Sequence, residues 1–95
     1  MARTFWTDES LRYIAKIYNY IADDSPVNAE NFLNRLMDSV ETQLSLSAEI
    51  GRVTPEFQNP QKREIVYGKY RVLYTVSDDK KTAYITQIQH CAKLL

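Results

Sequence analysis

The stretch Arg63-Glu64-Ile65-Val66-Tyr67-Gly68-Lys69-Tyr70-Arg71-Val72-Leu73-Tyr74-Thr75-Val76 decides the fold. Arg63 to Tyr67 is short, β-branched and aromatic, as a strand should be. From Tyr70 the pattern has a period of two: Tyr70, Val72, Tyr74 and Val76 fall on one face, and Arg71, Leu73 and Thr75 on the other. Gly68-Lys69 joins the two runs as a two-residue connection with glycine first, which suits a type II′ hairpin turn. Downstream, Ser77 to Lys81 is a polar turn and Thr82 to Gln89 reads as a third strand. The second half therefore predicts a three-stranded antiparallel meander followed by a short tail, His90 to Leu95.

Upstream the period changes to 3.6. Thr7 offers an N-cap, with Asp8 and Glu9 in the first turn, where the helix dipole favours anions. Leu11, Ile14, Tyr18 and Ile21 follow as one apolar stripe. Asp23 and Asp24 break the helix, and Ser25-Pro26 starts a second one. Ala29, Phe32, Leu33, Leu36, Met37, Val40 and Leu44 carry the stripe onward. Two amphipathic helices on a short link imply an antiparallel hairpin. Residues 2–6 suit a lead-in strand, with Trp6 a packing anchor. Residues 47–62, with Gly51, Pro55 and Pro60, read as a loop. The expected class is α+β: an N-terminal strand and a helical hairpin packed on one face of a small antiparallel sheet, in one domain over residues 1–95. The other sheet face is left partly open, with polar and aromatic groups on it.

Composition narrows the function. The chain has 95 residues, 44% hydrophobic and 25% charged, which suits a soluble globular domain. Its apolar runs fall far short of the ~20 residues that span a bilayer. Residues 1–8 lack a signal peptide's apolar region, so a cytoplasmic protein with no membrane partner is expected. Cys91 is the sole cysteine and agrees with a reducing compartment. Two glycines make no phosphate-binding loop, and one histidine with one cysteine makes no zinc site. No metal or cofactor is expected. Net charge is zero, yet residues 1–50 hold four basic and eight acidic groups (−4) and residues 51–95 the reverse (+4). An acidic partner should prefer the second half.

The chemistry that remains lies there. Arg52, Glu56, Arg63, Glu64, Arg71, His90 and Lys93 stand among Tyr67, Tyr70, Tyr74 and Tyr84. Arginines among tyrosines suit phosphate contact with base stacking, or an acidic peptide. A glutamate, a histidine and an arginine could also supply base, acid and phosphate stabilisation for RNA cleavage. Structural readings stand beside these. Arg71 could be a solvated sheet residue, Glu56 could merely pair with an arginine, and His90 could be a hydrogen-bonded strand end. The tyrosines sharing a face with Val72 and Val76 read as core, and Cys91 as inert.

With these residues laid out, the chain resembles the ParE/RelE superfamily, the toxins of bacterial type II toxin–antitoxin modules. The resemblance runs through Phe5-Trp6-Thr7, Ile14 to Ala22, Gly51-Arg52, Pro55-Glu56 and Arg63-Glu64-Ile65. Its most telling stretch is Tyr70-Arg71-Val72-Leu73-Tyr74, like the family's YRxxY strand. His90-Cys91-Ala92-Lys93 is close to the H-x-A-R ending of ParE-like, plasmid-stabilisation members. It implies a helical hairpin on an antiparallel sheet, and a growth-arresting toxin silenced by a cognate ParD- or RelB-like antitoxin. It also implies either of two targets, DNA gyrase for ParE-like members or mRNA on the ribosome for RelE-like ones. Glu56, Arg71 and His90 would be catalytic in a RelE-like enzyme, and Arg52, Arg63, Arg71, Lys93 and Tyr70 would bind partners. A homodimer, or a heterotetramer with antitoxin, fits either case, and a remnant that only binds antitoxin is a third possibility. Lys93 stands where arginine is frequent, Cys91 where glycine is, and a tail tyrosine of the RNA-cleaving relatives is absent. The ParE-like ending, the long helices and zero net charge favour gyrase, since a ribosome-docked nuclease meets dense phosphate.

Overall fold

The computed structural model describes residues 2–91. The elements run β1 (Arg3–Trp6), α1 (Asp8–Ala22), α2 (Pro26–Leu46), β2 (Arg52–Val53), β3 (Lys62–Tyr67), β4 (Tyr70–Val76) and β5 (Thr82–His90). The Tyr67–Tyr70 pairing closes the β3–β4 hairpin, and Gly68 takes a positive φ of 59° at its turn, as the Gly-Lys pair requires.

The sheet is larger than the expected meander. It has five strands in the order β1-β5-β4-β3-β2, and β1 pairs parallel with β5, Arg3 opposite Thr82 and Trp6 opposite Ile85. It is therefore mixed rather than purely antiparallel. β2 adds two residues to the opposite edge, Arg52 facing Glu64 and Val53 facing Arg63. Two residues leave no periodicity to read, which is why this segment looks like loop in the sequence. No described helix is long and apolar enough to cross a membrane.

Each helix starts where its cap chemistry dictates. The Thr7 side chain accepts from the Ser10 amide at 3.1 Å, and its hydroxyl donates to the Ile85 carbonyl at 2.5 Å, so one residue starts α1 and ties it to β5. Ser25 caps α2 by accepting from the Asn28 amide at 3.2 Å, with Pro26 in the first turn. Leu33, Leu36, Val40 and Leu44 of α2 bury against Ile65, Val72, Tyr74, Val76, Ala83, Ile85 and Ile88 of the sheet. On α1 the stripe is rotated from the expected one. Ile17 is its buried apolar residue and Ile14 and Ile21 pack partly, whereas Leu11 and Tyr18 stay exposed. An irregularity opposite Leu73/Tyr74 shifts the β5 register, Leu73 facing Gln87 but Tyr74 facing Ile85, so Ile85 and Ile88 both reach the core although three apart.

Tyr74 locks the chain between α2 and β2 onto this core. It is buried, its hydroxyl donates to the Ala48 carbonyl at 2.8 Å and accepts from the Gly51 amide at 2.9 Å, and burial pushes its pKa up. A Cβ on Gly51 would lie 2.5 Å from the Glu64 carbonyl oxygen and 2.7 Å from the Tyr74 hydroxyl. Gly51→Ala should therefore cost about 1–3 kcal/mol by overpacking, and Tyr74→Phe about the same by orphaning a buried amide and carbonyl. Urea unfolding midpoints check both; unchanged midpoints would refute the lock.

Candidate functional site

Strand alternation sorts the predicted site residues onto two faces. On the helix-free face Arg71 pairs across strands with Gln89, and Glu64, opposite Leu73, sits diagonal to Arg71. On the helix-covered face Tyr70 pairs with His90, their rings edge-to-face at 5.0 Å, and Phe32 of α2 packs against Tyr70 and Tyr67 at 5.6 and 5.8 Å. Tyr70 thus belongs to an aromatic layer under α2, where burial, and then nearby Tyr20, raise its pKa.

The helix-free face is less open than the sequence suggests. The segment after β2 folds back across it, stabilised by Phe57 and Gln58 amides donating to the Thr54 carbonyl at 3.1 and 3.2 Å. Leu73 is buried, and so is Arg71, whose side chain is only 7% exposed. The solvated-arginine reading is therefore corrected: Arg71 is an internal cation. Its NH1 group donates to Glu64 at 2.9 Å and to Glu56 at 3.2 Å. Its NH2 group donates to Gln89 at 2.9 Å and to the other Glu56 oxygen, and Nε donates to Gln89 at 3.2 Å. All five guanidinium N–H groups are thereby used.

Glu64 is the hub. Its side chain is 0% exposed, and its second oxygen accepts from Arg52 Nε and NH2, each at 2.7 Å. The chain Arg52–Glu64–Arg71–Glu56 balances two cations with two anions. A buried carboxylate needs such partners. Gln89 is absent from the sequence-derived set, and Glu64 stands in it without an assigned role. The signal for Glu64 was present: with a two-residue turn at Gly68-Lys69, counting back pairs Val66 with Arg71 and puts Glu64 on the same face.

Arg63 is committed elsewhere. Its Nε and NH1 donate to the carbonyls of Pro60, Glu49 and Gly51 at 2.8, 3.1 and 2.9 Å, and Glu49 lies 3.5 Å from its NH2. Lys80 also pairs with Glu49, at 3.4 Å. Arg63 and Lys80 share the one Glu49 carboxylate of the first half, so the excess positive charge of the second half is met only in small part by these pairs. Arg52 remains 65% exposed. Lys93 lies outside the described residues. Among the described residues no His, Cys, Asp and Glu group could hold a metal ion.

Leu73, two residues along β4 from Arg71 on the same face, helps line an open depression of about 230 Å³ with Thr54, Phe57, Lys62, Thr75 and Gln87. The buried Thr54 hydroxyl has no hydrogen-bond partner among the described residues.

A helical hairpin packed on a sheet with the Tyr70–Tyr74 strand at its centre agrees with the hairpin-on-sheet fold the sequence resemblance implied, the five strands and the parallel β1–β5 pair going beyond it. The family described as the ParE toxin of the type II toxin-antitoxin system, parDE, matches residues 4–95. The chain belongs to the ParE toxin family. Among solved structures, this toxin is similar to the chromosomal ParDE toxin–antitoxin system from P. aeruginosa, at 20% identity and a TM-score of 0.72, covering 95% of this chain and 96% of that one. It is also similar to the RelBE2 toxin–antitoxin complex from Mycobacterium tuberculosis, at 16% identity and a TM-score of 0.60, covering 94% and 96%. No curated protein matches it.

The hydrogen bond from Arg71 is the first cause holding the Glu56 carboxyl below its ordinary 4.5. A depressed carboxyl pKa stabilises the fold fully above the unfolded value and loses that stabilisation as pH falls through the folded one. Stability of this ParE toxin should therefore drop below pH 4.5 with a slope that flattens in Glu56→Gln, measured by chemical unfolding at each pH. Arg71→Ala, which leaves Glu64 buried beside Arg52 alone, should cost about 3 kcal/mol at neutral pH.

Proposed function

We propose that this toxin arrests growth in the cytoplasm by binding and poisoning DNA gyrase, without hydrolytic chemistry of its own, and that a cognate ParD-like antitoxin silences it. The carrying observation is the separation of the three candidate catalytic groups. Glu56 and Arg71 join on the helix-free face, whereas His90 lies with Tyr70 on the helix-covered one. An acid–base pair for RNA cleavage has to flank one phosphate within hydrogen-bond reach. The family match over residues 4–95 and the likeness to a ParDE complex support the same reading.

Arg52 and Lys93 are the cations we assign to partner contact. Arg63 holds the Gly51 carbonyl next to Arg52, and Tyr70 belongs to the aromatic layer under α2. Purified toxin should inhibit gyrase supercoiling or trap cleaved DNA at stoichiometric amounts, and Lys93→Glu should weaken the effect several-fold. Absence of inhibition at excess, with codon-phased mRNA cuts in induced cells, would replace gyrase with ribosome-bound mRNA as the target. Growth without arrest, with antitoxin binding intact, would mark a module that keeps only the partner. Light scattering of the purified complex distinguishes a heterotetramer from other assemblies.

A further inference from the structure

The Arg71 site has one replaceable ligand. Of its three acceptors, Glu64 is fully buried and also clamped by Arg52, and Gln89 stands on a central strand with its amide donating to Gln87 at 2.9 Å. Glu56 differs: its side chain is half-exposed and, among the described residues, Arg71 is the side chain it hydrogen-bonds to. It stands in the turn built on the Thr54 carbonyl, whose bonds come from the Phe57 and Gln58 amides, so Glu56 can rotate away without breaking that turn. Its departure would free one N–H on each terminal nitrogen of Arg71, a parallel fork that fits a carboxylate.

We propose that Glu56 is an internal stand-in for an acidic side chain of a protein partner, which binds Arg71 by exchanging with it. Charge decides the class of occupant. With Glu56 withdrawn, Arg52, Arg71 and Glu64 carry a net single positive charge, and one carboxylate returns the cluster to zero. A nucleic-acid strand brings a row of phosphates and needs a row of cations, but here Arg63 is tied to Glu49 and Arg52 to Glu64, which leaves Lys62, over the Phe57 ring, as the further cation lining the depression. Space for the partner's chain lies alongside. Leu73, two residues from Arg71 on the same face, lines the depression together with Thr54, whose hydroxyl is buried. The exchange keeps the free toxin's buried arginine neutralised and gives the partner contact a built-in competitor.

The proposal deepens the antitoxin reading, but its test uses the toxin alone. Sodium acetate is titrated at constant ionic strength while NMR follows the Arg71 Nε–H signal and the Glu56 carboxyl carbon. In Glu56→Gln, acetate should shift the Arg71 signal saturably and bind about tenfold tighter than in the natural chain, where Glu56 occupies the site. In the natural chain, excess acetate should move the Glu56 carbon toward its free-carboxylate position. Glu56→Ala serves if the glutamine variant does not fold. Equal affinity in variant and natural chain, or no Arg71 shift, overturns the exchange. Tighter saturation by inorganic phosphate than by acetate overturns the carboxylate assignment in favour of a phosphate ligand. Absence of any complex with an antitoxin would overturn only the partner reading and leave the acetate result standing.

Discussion

A carboxylate with no solvent exposure sits in the middle of this sheet face, and the rest of the site is built to tolerate it. A carboxylate taken out of water needs charged or hydrogen-bonding partners. Arg52 supplies one from β2 and Arg71 the other from β4. That requirement gives a two-residue edge strand a reason to exist, since β2 seats Arg52 directly opposite Glu64. It also turns the Arg71 guanidinium so that its remaining donors point at Gln89 and at the folded-back segment carrying Glu56.

The backbone around this cluster is pinned from the other side of the sheet. Tyr74 reaches through the core to hold Ala48 and Gly51, and Arg63 holds Glu49, Gly51 and Pro60 by their carbonyls. Two side chains on adjacent strands thereby fix both ends of an otherwise irregular segment. The same hairpin that supplies the apolar floor for α2 thus supplies the anchors of the loop over the opposite face. Stability and site geometry are coupled for that reason, and a substitution in either layer is felt in both.

For a toxin this arrangement has a functional meaning. A nuclease needs its acid, base and electrophile around one substrate, whereas a poison needs only a shaped and charged surface. Glu56, Arg71 and His90 do not converge. What faces outward near them is Arg52, the half-exposed Glu56 and the exposed Val66, the surface we propose for partner recognition. The His90 ring instead extends the aromatic layer that Tyr70 and Phe32 start beneath α2.

The sequence alone determined both helices, their caps at Thr7 and Ser25, the hairpin through Gly68-Lys69 and the face on which Tyr74 and Val72 lie. Each of these follows from local chemistry: a hydroxyl before a helical stripe, a glycine that accepts positive φ, a period of two. Only the tertiary structure decided that β1 lies parallel to β5, that Arg52-Val53 is a strand, that α1 turns Ile17 rather than Leu11 inward, and that Arg71 is buried between Glu64 and Glu56. Those outcomes depend on groups distant in sequence competing for the same sheet edge, core volume or charge, and periodicity carries no term for that competition.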